Sequence, residues 1–165
     1  MAVLSSASTY AIRAALYVAV AGLDEGEFLS TRRISDDLDV PFPFLTKVLQ
    51  GLTHGGIFVS QRGPAGGVAL GRPIADITLL DIVRSAGGDG VFRSCVLGLP
   101  ACSDAAPCAL HGPWREQRGR LEALFAKTTL AALAADGYAA VAKGSRRGAG
   151  PAPRARGRTR RKATR

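Results

Sequence analysis

A glycine-rich segment between two short apolar runs constrains the fold of this chain more than any other feature. The first run is Ile57-Phe58-Val59 and the second is Val68-Ala69-Leu70, and both are rich in residues that favour strands. Between them, residues 60–67 read Ser-Gln-Arg-Gly-Pro-Ala-Gly-Gly, which has the glycine and proline content of a tight connection. The pattern predicts a β-hairpin with Arg62 at its tip.

Two short amphipathic helices precede this hairpin. Ser30 is suited to cap a helix from Thr31 to about Leu38, and a turn that begins at Asp39 leads to a second helix near Pro43. The predicted inner side of the second helix carries Phe44, Leu45, Val48, Leu49 and Leu52, and its outer side carries Pro43, Thr46, Lys47, Gln50 and Thr53. Two such helices fit either an ordinary helical core or a helix-turn-helix unit. A hairpin directly after them favours the winged form, in which the second helix enters the major groove of DNA.

The wing interpretation is preferred to a phosphate-binding loop for the glycine-rich segment. No Lys-Ser or Lys-Thr pair follows the glycines, and no helix is predicted to start at their end. The chain also lacks a pattern of paired carboxylates or a Ser/His/Asp constellation, and only His54 and His111 could act as bases near neutral pH. We therefore predict that the protein is not an enzyme. A basic wing tip can enter the narrow minor groove, and Arg62 is the candidate.

The remaining segments complete a mainly α fold with a small β-hairpin. A first helix is predicted from Ser6 or Ser8 to Ala21, and another from about Thr78 to Ala86. A long helix from about Gly112 to Ala135 either packs on its own domain or pairs with its copy in a homodimer, and two-fold DNA sites favour the homodimer. The predicted divisions are a winged helix-turn-helix domain (1–86), a cysteine-bearing cluster loop (87–113), a dimerisation helix region (114–142) and a disordered basic tail (143–165).

The net charge of +9 comes from the end of the chain. Residues 143–165 contain ten Lys or Arg and no acid, and the other 12 basic residues face 13 acidic ones. The tail is rich in Arg, Gly, Pro and Ala without apolar periodicity, which predicts disorder. It is expected either to add sequence-independent attraction to phosphates or to act only as a solubilising extension.

The composition also favours a location in the cytoplasm, with no membrane partner. The longest apolar run near the start, Ala14 to Leu23, is about half of what a bilayer requires. Cytoplasmic thiols stay reduced, so the three cysteines indicate metal or redox chemistry more than disulfides.

The three cysteines lie together in a loop rich in Gly, Pro, Ser and Ala. Cys95, Cys102 and Cys108 are separated by six and five residues, and His111 follows after two more. Thiolates select iron–sulfur clusters, zinc or copper(I), and an imidazole can complete such a ligand set. Three Cys and one His also form a structural zinc set, although the close cysteine pairs typical of zinc sites are absent. Spacing alone leaves a cluster, zinc and unliganded thiols open.

In several segments the chain resembles the winged-helix regulators of the IscR and NsrR type in the Rrf2 family. The resemblance covers about residues 1–135. The segments that carry it are Tyr10-Ala11-Ile12-Arg13, Phe44-Leu45, residues 56–60, residues 62–70, residues 77–83 and residues 108–114, which read Cys-Ala-Leu-His-Gly-Pro-Trp.

This resemblance implies a homodimeric regulator, expected to be a repressor, that binds a double-stranded DNA operator and senses iron, cluster supply, nitric oxide or oxidants. It implies an iron–sulfur cluster on Cys95, Cys102, Cys108 and His111. It also places Thr46 and Lys47 on groove-facing positions and Arg62 on the wing. The full set of predicted DNA-contacting residues is Arg32, Pro43, Thr46, Lys47, Gln50, Arg62 and Gly63.

The chain departs from the family pattern at three places. The first cysteine gap is six residues instead of the usual five, and Pro41-Phe42-Pro43 replaces a serine-rich stretch that supplies polar base contacts. Thr9 stands where members of the NsrR type can use an acidic ligand for a 4Fe–4S cluster. With His111, this favours a 2Fe–2S cluster, with 4Fe–4S as the close alternative. A regulator of the same fold without a cluster, using cysteine oxidation or structural zinc, is the other alternative.

Overall fold

The computed structural model describes residues 3–22, 27–64 and 66–135 of the chain. In chain order the helices and strands are α1 (Ser6–Val20), α2 (Thr31–Leu38), α3 (Phe42–His54), β1 (Phe58–Gln61), β2 (Gly67–Leu70), α4 (Leu79–Ser85), α5 (His111–Lys127) and α6 (Leu130–Ala135), with 3₁₀ turns at Ile74–Asp76 and Asp89–Phe92. The expected mainly α fold with one hairpin is confirmed. The expected basic tail, 143–165, lies outside the described residues, as do residues 136–142.

Short polar side chains set the starts of the helices. The Ser30 hydroxyl accepts a hydrogen bond from the Arg33 amide at 3.2 Å, so it caps α2 as predicted. At α4, Thr78 and Asp81 form a reciprocal capping box. The turn between α2 and α3 places Asp39 in the left-handed region, at φ 53°, a conformation that aspartate tolerates better than most residues.

The hairpin is fixed to the helices at its base. β1 and β2 pair antiparallel, with Phe58 opposite Leu70 and Gln61 opposite Gly67. The backbone of Leu29, just before α2, exchanges two hydrogen bonds of 2.9 Å with Val68. The position of the hairpin relative to α2 is therefore set by backbone bonds, and its tip extends beyond them.

The main core lies between α1, α2, α3, β1 and α6. Ala11, Ala14 and Leu16 of α1 are buried, as are Leu45 and Leu52 of α3. A second cluster of Leu80, Val83 and Phe92 packs against Phe125 of α5, whose ring is 5.4 Å from that of Phe92. In the part of the chain that the structure describes, no helix is long and apolar enough to cross a membrane.

The prediction of one continuous helix from Gly112 to Ala135 is wrong. Helix α5 ends at Lys127, and Thr128 takes an extended conformation. The Leu79 amide donates to the Thr128 carbonyl at 2.9 Å, and the Leu130 amide donates to the Ile77 carbonyl at 2.8 Å. These bonds to the segment before α4 replace the helical ones, and they bury Leu130 completely in the main core.

Phe44 also differs from its predicted inward position. Its side chain is 37% exposed, and its ring packs edge-on against Tyr10 at 5.8 Å. The helical stripe that turns into the core begins instead at Leu45, which is fully buried.

Candidate DNA interface and cysteine site

A cleft of about 750 Å³ lies between the outer face of α3 and the hairpin. Its walls come from the start of α2, from α3 and from both strands with their tip. The lining residues that carry polar or aromatic side chains are Ser30, Thr31, Arg32, Phe42, Thr46, Gln50, Thr53, His54, Ser60, Gln61 and Arg62. Among the described residues that line it there is no acidic side chain, so the cleft suits a negatively charged ligand.

The structure brings five of the seven predicted DNA-contacting residues to this cleft. Arg32, Thr46, Gln50, Arg62 and Gly63 line it. Pro43 and Lys47 are exposed on α3 but lie outside the lining, so any contact they make to DNA would be at the edge of the cleft.

Sequence reasoning missed Phe42 as part of the cleft. Phe42 is 36% exposed, and the guanidinium carbon of Arg32 lies 4.5 Å from its ring centroid. Helical spacing could have identified it, because Phe42 precedes Thr46 by four residues and so lies on the same face of α3. The same spacing relates His54 to Gln50, and His54 was also missed, whereas Gln61 on β1 had no comparable signal.

The cysteine loop is attached to α5 by two side chains. The indole N–H of Trp114 donates to the Ser94 carbonyl at 2.8 Å. The guanidinium of buried Arg118 donates to the carbonyls of Arg93 and Ser94. The backbone directly before Cys95 is therefore held against α5.

Cys95 is buried and lies in contact with both other thiols. The backbone N–H groups of Leu99 and Leu97 donate to its sulfur and lower the pKa of Cys95, partial burial opposes them, and the thiols of Cys108 and Cys102 add to the lowering. All three cysteines are free thiols. The fold of the loop thus brings together the three sulfurs, which the sequence showed only to be close along the chain.

His111 is 7% exposed and joins Cys102 to Asp104. Its Nδ1 lies 3.4 Å from Cys102 Sγ, and its Nε2 lies 2.9 Å from Asp104 Oδ1. Arg115, one turn further along α5, donates to the same carboxylate oxygen at 2.6 Å. The hydrogen bond from His111 and then the charge of Arg115 hold the pKa of Asp104 below its usual range. Since an ionised carboxylate only accepts, Nε2 carries the hydrogen in this contact, and in the neutral imidazole the lone pair is then on Nδ1, which faces Cys102.

No group of three or more His, Cys, Asp or Glu side chains in residues 3–22, 27–64 and 66–135 is arranged around a point that would suit a single metal ion. The contacts instead run in sequence from Cys108 to Cys95, Cys102 and His111. Sequence reasoning named these four residues but missed Asp104 and Arg115, because nothing in the cysteine spacing marks them.

Comparisons with known proteins identify the family of the chain. The model of the Rrf2 family, described as an iron-dependent transcriptional regulator, matches residues 4–136. A protein of Aquifex aeolicus assigned as an HTH-type transcriptional regulator is 31% identical over 130 residues, 78% of this chain and 88% of that one. The HTH-type transcriptional regulator IscR of Cronobacter sakazakii is 28% identical over 130 residues, 79% of this chain and 78% of that one.

Solved structures share the fold. CymR of B. subtilis, described as the global cysteine regulator, superposes with a TM-score of 0.65 at 21% identity, covering 83% of this chain and 99% of that one. IscR of T. potens superposes with a TM-score of 0.60 at 22% identity, covering 80% and 85%. The relatives are transcriptional regulators, which confirms that the chain is not an enzyme. This chain is a DNA-binding transcription regulator that belongs to the Rrf2 family.

Proposed function

We propose that the DNA binding of this regulator is controlled by an iron–sulfur cluster held by Cys95, Cys102, Cys108 and His111. The observation that carries the proposal is the continuous set of contacts among these four side chains. Cys95 contacts both other thiols, and His111 Nδ1 lies 3.4 Å from Cys102 Sγ. Three thiolates and an imidazole are soft and borderline donors of the kind that iron–sulfur clusters take.

We favour a 2Fe–2S cluster over a mononuclear zinc ion on the spacing of the cysteines. A two-iron cluster takes two protein ligands on each iron, so its four ligands need not converge on one point. Structural zinc sites typically have cysteine pairs two to four residues apart, and the spacing of Cys95, Cys102 and Cys108 contains no such pair. A 4Fe–4S cluster on the three cysteines remains the alternative within this proposal. When bound, the cluster supplies sensitivity to iron supply, nitric oxide and oxidants.

For DNA binding we propose the winged-helix mode, with α3 in the major groove and the hairpin tip near the minor groove. Arg32 and Arg62 supply positive charge to the cleft, and Thr46 and Gln50 supply hydrogen-bonding groups. We propose that the protein acts as a repressor by occupying its operator.

We further propose a homodimer. Leu124 on α5 is 58% exposed, and Val96, Leu97, Leu99 and Leu110 of the cysteine loop expose about half of their surface. Exposed apolar side chains commonly mark an interface between chains where they form one contiguous patch. Sedimentation of the full-length protein would test this, with a monomer at micromolar concentration as the contrary result.

Anaerobic purification followed by iron and sulfide analysis tests the cluster. We expect brown protein with iron and acid-labile sulfide, and loss of most of the visible absorption when any one of the three cysteines is changed to Ala. His111→Ala should change the spectrum with a smaller loss of iron, because water or a small thiol can fill one position. Full colour and iron in all three cysteine variants would refute the ligand assignment.

A second candidate is control by cysteine oxidation, which the contacts of Cys95 with Cys102 and Cys108 favour. Two thiols would form one disulfide, and their two electrons and two protons would reduce a peroxide to water and an alcohol or a second water. Colourless anaerobic protein without metal, which loses two thiols for each peroxide and changes its DNA affinity, would support this candidate over the cluster.

A further inference from the structure

Phe42 places an aromatic ring where the DNA bases are expected. It is the first residue of α3, and the first turn of a recognition helix contacts base edges in the major groove. Its ring lines the cleft and is 36% exposed. An apolar ring at this position has no use for the hydrogen-bonding groups that most base edges offer.

The ring is held in place by its neighbours. Arg32 of α2 lies over it, with the guanidinium carbon 4.5 Å from the ring centroid. The Thr46 hydroxyl donates to the Phe42 carbonyl at 2.8 Å, so that hydroxyl hydrogen is already used within the helix. The start of α3 therefore presents to the cleft an apolar ring with a cation stacked on it.

The major groove offers one apolar group that distinguishes the bases, the C5-methyl of thymine. We propose that Phe42 recognises this methyl group at one thymine in each half of the operator, while Arg32 beside it contacts a phosphate or a guanine edge. The inference rests on the proposed docking of α3 in the major groove. It is independent of the cluster.

Phe44 provides a matched control on the same helix. It is 37% exposed, which nearly equals the exposure of Phe42, but it packs against Tyr10 and does not line the cleft. Phe42→Ala and Phe44→Ala therefore remove the same group with similar burial from two sides of α3.

The experiment begins with selection of duplexes from a randomised library by the full-length protein. Each symmetric pair of thymines in the selected duplex is then replaced by deoxyuridine, which removes only the methyl groups. For the wild type we expect one pair at which affinity falls about fourfold per methyl group, the value of one buried CH₂. Phe42→Ala should bind both duplexes equally, whereas Phe44→Ala should keep the difference.

The outcomes separate this inference from the docking on which it rests. If wild-type protein selects an operator but tolerates deoxyuridine at every thymine, methyl recognition is refuted and the docking stands. Methyl recognition by Phe42 is also refuted if Phe42→Ala still discriminates between the two duplexes. If no sequence is selected at all, the docking itself fails. Thermal unfolding of the variants confirms that each is folded before its affinity is measured.

Discussion

Gly51 of α3 lies directly against the carbonyl of Ser85 at the end of α4. A Cβ built on Gly51 would lie 2.7 Å from the Ser85 oxygen, and one on Gly55 would lie 1.9 Å from the Ser85 hydroxyl. Helix α3 therefore packs so closely on the end of α4 that neither Gly51 nor Gly55 has room for a side chain. Helix α4 also packs against Phe92, three residues before Cys95, so one short helix contacts both α3 and the segment that carries the cysteines.

Gly51→Ala is expected to destabilise the protein by roughly 1–3 kcal/mol, because the added methyl meets backbone that cannot turn away. DNA affinity should also fall, since α3 must shift. The matched control is Gly119→Ala in α5, where a Cβ meets nothing within 4 Å. That change should be neutral or stabilise by up to about 1 kcal/mol. Urea unfolding measures both, and equal stability of the two variants would contradict the tight seating of α3.

Arg62→Ala at the hairpin tip is expected to weaken operator binding by roughly 1–3 kcal/mol, with the largest loss at sites flanked by A·T steps. Lys47→Ala should relax preference at one symmetric base pair if the lysine reads a base, and weaken all sequences alike if it contacts phosphate. Arg120→Ala is the control, because Arg120 pairs with Glu116 on α5. Wild-type affinity in both the Arg62 and Lys47 variants would contradict the winged-helix docking.

Asp104→Ala is expected to weaken cluster retention without removing any proposed ligand. The change deletes the acceptor that fixes His111 Nε2 and receives Arg115, so the imidazole is free to rotate away from Cys102. Loss of such an orienting carboxylate typically costs 10- to 100-fold in metal affinity. Iron release to a chelator measures it, with Glu116→Ala as the control, an acidic residue of α5 that pairs with Arg120. Equal release rates in the two variants would show that Asp104 does not position the imidazole.

Leu130→Ala is expected to lower the free energy of unfolding by roughly 2–5 kcal/mol, because it opens a cavity in the main core. Its side chain is fully buried although it lies beyond the end of α5. Val20→Ala, at a residue 44% exposed, should change stability by less than about 0.5 kcal/mol. Chemical denaturation of both variants gives the comparison. A small effect at Leu130 would contradict the packing of α6 into the DNA-binding half.

The sequence predicted most of the fold because its signals are local. The Ser30 cap, the proline at the start of α3 and the glycine-rich connection each act within a few residues, and the structure has all three. The end of α5 could not be predicted in this way. Residues 112–135 keep helical spacing, and Thr128 leaves the helix because its carbonyl bonds to Leu79, a partner distant in the chain.

In the candidate site, too, local signals were predictive and contacts between distant segments were not. Cysteine spacing identified the residues that the structure brings into contact, and the outer face of α3 identified Thr46 and Gln50. Asp104 and Arg115 could not be found, because their role depends on how the loop folds back onto α5. The sequence analysis treated Phe42 only as part of a segment that lacks polar base contacts. The stacking of Arg32 on its ring joins two different helices, so spacing within one helix does not reveal it.

Trp114 is the only tryptophan of the chain, so all of its indole fluorescence arises at one place. The indole N–H donates a hydrogen bond to the carbonyl of Ser94, which is the residue directly before Cys95. An absorbing group bound by the cysteines would quench this emission, and a rearranged loop would shift its wavelength. The native, unlabelled regulator therefore carries its own optical probe, with which the occupancy of the loop can be followed while DNA is titrated.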